Sequence, residues 1–382
     1  MKFFSVIISI YNLFIFCLLI SKEISSTTFT FPTATTLTNG NIIVIEKKGI
    51  YIYDPTLSTL KSTVKIFSEE DQIKTTEDLS RVVIKRFKGY FVSIINYKIY
   101  IFSGEGSLLY NSVKFYNQEL EYYSLAPFYL NSNYFYFIIG FFDSNTYLNL
   151  VWVTYNFNSG EHSITHSKTE EKFKYLYGYD SYGYSVYNNL IFKSKALSCE
   201  YLKDSYDETP SLSCFFVVEY EQKDYLAIGF YELSLSYNKI NNLFSYSFED
   251  DLVNNVKIIK SDSDSHLYKS LVCIVQEDNQ SYCYKHKVDR RKGYFYEKET
   301  INAECRNTFY GMKVTYLYET EDVVFSCSLS NGTILADIFD SNLDTPNLDY
   351  KRFKNCQSIY GYSILFLSDY YVLSDVNCKG NQ

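Results

Sequence analysis

The chain has 382 residues, 46% hydrophobic and 21% charged, with 36 basic and 44 acidic side chains and a formal net charge of −8. Its 41 Tyr, 30 Phe and single Trp exclude intrinsic disorder, which is poor in aromatics. Alanine occurs only at Ala34, Ala126, Ala196, Ala227, Ala303 and Ala336, so good strand formers far outnumber the best helix former. This disfavours an all-helical protein and a dinucleotide-binding α/β enzyme, and the acidic balance argues against nucleic acid as the main partner. A large β-protein remains.

At the N-terminus, Lys2 precedes an apolar run over residues 3–20 that only Ser5, Ser9 and Asn12 interrupt, and residues 21–28 are polar. This predicts a signal peptide over residues 1–21 and a mature domain over 22–382, secreted or held at the cell surface. An uncleaved signal anchor is the rival, because the run approaches the span of a bilayer. The most apolar later run, residues 134–142, suits a buried strand. Contact with a membrane is therefore expected only through an uncleaved N-terminal segment or a partner.

Strand pairs follow almost everywhere. Ile42-Ile43-Val44-Ile45-Glu46, a Lys47-Lys48-Gly49 turn and Ile50-Tyr51-Ile52-Tyr53 read as a hairpin. So does Val323-Val324-Phe325-Ser326-Cys327, followed by Asn331-Gly332 and Thr333-Ile334-Leu335, because both Asn and Gly tolerate the positive φ of a tight turn. Comparable hairpins begin near residues 90, 134, 213, 271 and 363, and the longest gap between starts, from 134 to 213, holds further strand-like sequence at 184–193. Tyr182-Gly183-Tyr184-Ser185 recurs as Tyr360-Gly361-Tyr362-Ser363, and each Gly precedes a cysteine by 16 or 17 residues.

These recurrences, spaced mostly at 40–60 residues with three or four strands each, resemble β-propeller repeat proteins across nearly the whole mature chain. The resemblance implies an all-β propeller of six or seven blades, with the aromatic excess filling the wedges between sheets. Residues 27–31 are a candidate for the strand that closes the ring. The Gly-His and Trp-Asp marks of WD40 repeats and the paired glycines of kelch repeats are missing from the sequence, so the likeness is to the fold and carries no function. The alternative architecture is two consecutive β-sandwiches divided near residues 156–180.

Nine cysteines less Cys17 of the leader leave an even set: Cys199, Cys214, Cys273, Cys283, Cys305, Cys327, Cys356 and Cys378. Eight such residues in an exported chain read as disulfide partners, with connectivity open. The equal 22-residue spacings Cys305 to Cys327 and Cys356 to Cys378 suggest equivalent bridges. Asn279-Gln280-Ser281 and Asn331-Gly332-Thr333 are glycosylation sequons in predicted turns, making Asn279 and Asn331 candidate glycan carriers.

No catalytic constellation emerges. His162 and His166 have helical spacing in a strand-like stretch without the Glu of a zinc protease. Asp262-Ser263-Asp264-Ser265 lacks the Gly and Glu of a calcium loop and reads as a polar turn. Ser103-Gly104-Glu105-Gly106-Ser107 has no Gly-Lys-Ser/Thr ending and also reads as a turn. Glu69-Glu70-Asp71, Glu249-Asp250-Asp251 and the basic run 285–292 read as solvated charge. No cofactor, metal or catalytic residue is expected. The sequence points to a non-enzymatic module that binds a protein or a glycan, with a glycoside hydrolase carrying carboxylates at the channel as the alternative.

Overall fold

The computed structural model describes residues 33–379 apart from short connecting segments, the longest being 75–80, 115–122, 204–209, 306–311 and 340–348. The described strands fall into seven sheets, six of them built around up-and-down antiparallel meanders. The first sheet holds β1 (Thr33–Thr36), β2 (Ile42–Glu46), β3 (Gly49–Tyr53) and β4 (Leu60–Ile66). The second holds β5 (Val83–Phe87), β6 (Tyr90–Ile95), β7 (Lys98–Ser103) and β8 (Leu108–Lys114). The third holds β9 (Tyr123–Leu130), β10 (Tyr134–Phe142), β11 (Leu148–Asn156) and β12 (Glu161–Glu170).

The fourth sheet is larger. A hairpin of β13 (Tyr175–Asp180) and β14 (Gly183–Asn188), then β15 (Ile191–Phe192), flank the meander of β16 (Ser198–Lys203), β17 (Pro210–Tyr220), β18 (Lys223–Ser234) and β19 (Lys239–Val253). That inserted hairpin accounts for the long gap in the hairpin spacing. The fifth sheet is β20 (Val256–Asp264), β21 (Lys269–Gln276), β22 (Gln280–Asp289) and β23 (Gly293–Glu304). The sixth is β24 (Met312–Leu317), β25 (Asp322–Ser328), β26 (Thr333–Phe339) and β27 (Asp349–Arg352), and the seventh is the pair β28 (Ser358–Leu367) and β29 (Tyr370–Lys379).

Six of the seven hairpins read from the sequence are the middle pairs of these meanders, and the seventh, read from residue 363, corresponds to β28–β29, whose first strand already begins at Ser358. β2–β3, β6–β7, β10–β11, β17–β18, β21–β22 and β25–β26 all pair antiparallel at the expected places. Their turns carry the needed backbone: Asn96 and Tyr97 between β6 and β7, and Glu221 and Gln222 between β17 and β18, have φ of 48°, 63°, 49° and 64°. Two successive positive φ values are the turn geometry that matches strand twist.

What turns seven sheets into one fold is how they meet. β1 lies against β5, β5 against β9, β9 against β16, β16 against β20 and β20 against β24, while β28 lies against β1 and β25. The first strands thus form an inner ring, the remaining strands extend outward, and the chain is a β-propeller. Apolar cores lie between consecutive sheets. Ile43, Ile50, Phe91 and Tyr100 join the first to the second, and Ile99, Phe135, Phe137 and Val153 join the second to the third. Trp152, Phe128, Phe216 and Tyr231 join the third to the fourth. Phe215, Phe230, Ile274 and Tyr284 join the fourth to the fifth, and Cys273, Met312 and Phe325 join the fifth to the sixth. Two sandwiches would each share one core between two sheets; successive wedge-shaped cores exclude that arrangement.

The aromatic residues fill those wedges. Trp152, Tyr100, Tyr231, Tyr284 and several phenylalanines, Phe91, Phe135 and Phe216 among them, are essentially fully buried. Phe128 meets Trp152 edge-on at 4.7 Å between centroids, and Phe192 meets Phe216 likewise at 5.2 Å. Such edge-to-face pairs add stability beyond the area they bury.

The Tyr-Gly recurrence does not mark one repeated position. Gly183 lies in the inserted hairpin, whereas Gly361 lies on β28, the first strand of its sheet. A Tyr-rich chain produces such dipeptides by composition, and hairpin register decides where they fall. The leader 1–21 and the candidate closing strand 27–31 lie outside the described residues.

Candidate functional site

The inner ring carries a charged cluster set among buried serine hydroxyls. β5 presents Lys85 from the run Val82-Val83-Ile84-Lys85-Arg86-Phe87, β16 presents Glu200, and β20 presents Asp262. Lys85 Nζ donates to Asp262 Oδ1 at 2.8 Å, to Glu200 Oε1 at 3.1 Å and to the Ser261 carbonyl at 3.4 Å. The three ammonium donors therefore meet three acceptors. Because β9 stands between β5 and β16 in the ring, Lys85 reaches past the third sheet to tie the second to the fourth and fifth.

Local pairing explains why Glu200 faces this point. Cys199 and Tyr201 pack into the core shared with the third sheet, and Leu202 packs into the core shared with the fifth. Strand alternation then sends Glu200 toward the fifth sheet. There the Ser261 hydroxyl donates to Glu200 Oε1 at 3.1 Å, and Ser198 Oγ accepts from the Ser261 amide at 3.0 Å. On the other side, Ser124 Oγ of β9 accepts from the Cys199 amide at 2.8 Å and donates to the Cys199 carbonyl at 3.2 Å. Serine hydroxyls thus stitch β9, β16 and β20 together around the cluster.

Burial is graded. The Glu200 side chain is 5% exposed, while Lys85 and Asp262 retain 19% and 14%. Burial first, and the Asp262 charge in addition, push the Glu200 carboxyl up to about 8 against the opposing pull of Lys85. For Lys85, burial alone would depress the ammonium; the charges of Asp262 and Glu200 outweigh it and raise the group above the ordinary lysine value. The cluster thus sets one ammonium against two carboxyl groups, so the desolvation of each is offset by its partners.

Three cysteine pairs lie at disulfide distance. Cys199–Cys214 and Cys273–Cys283 each join directly opposed residues of neighbouring strands, with Cα atoms 4.0 Å apart. Cys305–Cys327 links the end of the fifth sheet to β25 of the sixth, the pairing suggested by the 22-residue spacing. Cys356 lies outside the described residues, as does the side chain of Cys378. Gly140 makes room for the first pair: a Cβ there would come within 2.9 Å of Cys199 Sγ.

The other singled-out residues scatter. Asn279 sits in the β21–β22 turn with φ of 69°, and Asn331 lies outside the described residues. His162 and His166 are on strand β12, opposite Tyr155 and Trp152 across a bulge. His162 Nδ1 is hydrogen-bonded to the Tyr110 hydroxyl of the second sheet, and burial pushes its pKa down. Asp71 pairs with Lys98 at 2.6 Å, and that hydrogen bond holds its carboxyl below the usual range. Residues 104–106 form the β7–β8 turn. The polar turn read at residues 262–265 is corrected: Asp262 belongs to β20, opposite Leu271, and faces a lysine brought from 177 residues away. Lys85 and Glu200 escaped the sequence reading altogether; their one signal is a charged residue inside an apolar strand. Among the described residues no group of three or more His, Cys, Asp or Glu side chains is placed to hold a metal ion.

No family model matches the chain, and no curated protein sequence does either. Similar solved structures are propellers. The WD40 domain of Neurospora crassa Pan2 aligns with a TM-score of 0.45 and 7% identity over 90% of this chain and 86% of its own. The Nup133 β-propeller domain of Vanderwaltozyma polyspora gives 0.43 and 12%, covering 90% and 91%. The β-1,3-galactosidase BT3683, with galactodeoxynojirimycin, gives 0.42 and 9%, covering 84% and 99%.

Proposed function

We propose that this chain is a secreted or cell-surface, non-enzymatic β-propeller that binds a protein or glycan partner through its loop-bearing faces. The observation that carries the reading is the position of the Lys85 ammonium. It occupies the space between the two carboxyl groups that meet in the inner ring, 2.8 Å from one and 3.1 Å from the other. A hydrolytic carboxylate pair needs that space for the scissile bond and the attacking water. With the ring centre tied by an internal ion pair, recognition falls to the turns and loops at its two faces. The paired cysteines are consistent with an oxidising, extracellular setting, as the leader-like N-terminus leads one to expect.

The glycoside hydrolase reading retains one supporting observation. Burial raises the Glu200 carboxyl beside a second carboxyl group, Asp262, and a raised carboxyl is the kind of group that serves as a general acid. The two readings part on a direct experiment. Protein recovered from culture medium is screened against glycan arrays and surface-protein libraries, and in parallel against a panel of aryl glycosides. Saturable binding with no turnover supports the binding module. Turnover lost in both Glu200→Gln and Asp262→Asn would establish the enzyme, and retention of intact Met1 in membranes would remove the secreted form.

A further inference from the structure

One end of the third sheet gathers tyrosines that neither the ring centre nor the cores consume. Tyr129 lies near the end of β9, and Tyr134 and Tyr136 open β10 across the 131–133 turn. Alternation sends Phe135 and Phe137 into the core shared with the second sheet, which leaves Tyr134 and Tyr136 on the side of the fourth. There Tyr129 and Tyr136 pack on the core that the third and fourth sheets share. All three rings are half-buried and lie in a row, with centroids 5.6 Å apart from Tyr129 to Tyr136 and 5.9 Å from Tyr136 to Tyr134. Among the described residues their hydroxyls make no hydrogen bond, and none is sealed from solvent. We propose that this row is a docking site for a neutral oligosaccharide of β-linked pyranoses with equatorial hydroxyls.

The lining selects that chemistry. The electrostatic neighbours of the Tyr136 hydroxyl are Tyr134 and Tyr129, so the three hydroxyls converge. The turn beside them, Asn131, Ser132 and Asn133, is exposed and uncharged. Asn131 Oδ1 accepts from the Asn133 and Tyr134 amides at 2.9 and 2.7 Å, which fixes the carboxamide and leaves Nδ2 as an unused donor. Across the shared core, the β18–β19 turn carries Leu235, packed on that core, and Tyr237, 82% exposed. Ring faces, phenol hydroxyls and a carboxamide together match a pyranose with equatorial hydroxyls. Its axial C–H bonds present an apolar face to the rings, and its edge exchanges hydrogen bonds with the polar groups. An anionic sugar would lose hydration here with no cation to replace it. A protein partner is disfavoured by size, since a stable interface takes about 800 Å² from each side and this row offers three half-buried rings and a turn. The assignment rests on the binding-module reading above and names its surface and its ligand class.

Titration calorimetry on the whole protein tests it, with cellohexaose and chitohexaose as neutral probes and oligogalacturonate and heparin fragments as anionic ones. The neutral probes should bind saturably, and the anionic ones about tenfold more weakly or not at all. Tyr134→Ala and Tyr136→Ala should each raise Kd about tenfold or more. Tyr134→Phe keeps the ring and should raise it by a smaller factor, while Tyr147→Ala, before β11 at the opposite end of the sheet, should leave it unchanged. Trp152, its ring centre 6.0 Å from that of Tyr136, reports by fluorescence that each variant is folded. Neutral sugar bound equally by both alanine variants overturns the site and spares the binding module. No binding of either neutral probe, or tighter binding of the anionic ones, overturns the ligand class. So does a protein partner whose binding falls in the same variants while no sugar binds. Hydrolysis of a bound probe counts against the non-enzymatic reading alone, because the alanine variants still report whether these tyrosines hold the sugar.

Discussion

Replacing Lys85 by methionine leaves the aliphatic stem in place and deletes the charge. In the native ring the ammonium satisfies Asp262, Glu200 and the Ser261 carbonyl at once. Removing one partner of a buried charge pair typically costs about 3–5 kcal/mol, because the other partner stays buried without compensation. Here Asp262 is 14% and Lys85 19% exposed, so water screens part of the loss and the lower end, about 3 kcal/mol, is expected. With a urea slope of about 3 kcal/mol per molar, the midpoint should fall by about 1 M at pH 7. The assay is internal to the chain. Trp152 is the single tryptophan, fully buried between the third and fourth sheets, and its fluorescence follows unfolding without a label. The triple variant Lys85→Met, Glu200→Leu, Asp262→Leu supplies the control. A charge cluster exchanged for apolar side chains of similar size is often neutral or stabilising, so the triple variant should regain most of what the single one loses. A single variant within about 0.5 kcal/mol of wild type, or a triple variant no better than the single one, would refute the account of the cluster as a compensated buried charge.

Four other expectations can be measured on the same protein. Ser124→Ala removes both partners of the Cys199 backbone and should destabilise by about 1–3 kcal/mol in the same urea titration. Gly140→Ala drives a methyl group to 2.9 Å from Cys199 Sγ and should lower stability by about 1–3 kcal/mol, with relief when Cys199 and Cys214 are both replaced by Ala. His162 is neutral in the fold because burial depresses it, so its contribution to stability is complete above about 6.5 and decreases as pH falls below that value; thermal melts of His162→Phe should lack this acid-side loss. Non-reducing peptide mapping should recover Cys199–Cys214, Cys273–Cys283 and Cys305–Cys327, and any other connectivity among these six would contradict the strand register.

Hairpins were legible because their causes are local. A short apolar run of β-branched and aromatic residues and a turn residue that accepts positive φ are both properties of ten or so consecutive residues, as in residues 90–103, whose strands are buried almost throughout, with Asn96 and Tyr97 at the bend. The large fourth sheet was half legible. Strand-like sequence near 184–193 was visible, but the single parallel bridge from Tyr177 to Tyr246 that attaches the inserted hairpin joins residues far apart in the chain. Cysteines were legible as a set, and Cys305–Cys327 by its spacing; the other two bridges depend on which residues face each other across β16–β17 and β21–β22. Asp262 was misread for a related reason. Its neighbours are polar, so it looked like a turn, and the partner that makes it tolerable inside is not in its segment.

The amino-acid sequence by itself determined that this chain forms strands, that they pair in successive hairpins, and that aromatic side chains fill the spaces between sheets. Those outcomes follow from short apolar runs of β-branched and aromatic residues, turn chemistry and the sheer volume of Tyr and Phe. Only the tertiary structure decided that Lys85, Glu200 and Asp262 meet, across 115 and 177 residues of intervening chain. Nothing local distinguishes these three from other charged residues on strands. Closure of the sheets into a ring brings their first strands together, and a charge facing that ring must find its opposite there or be neutralised, a carboxylate by gaining a proton and an ammonium by losing one.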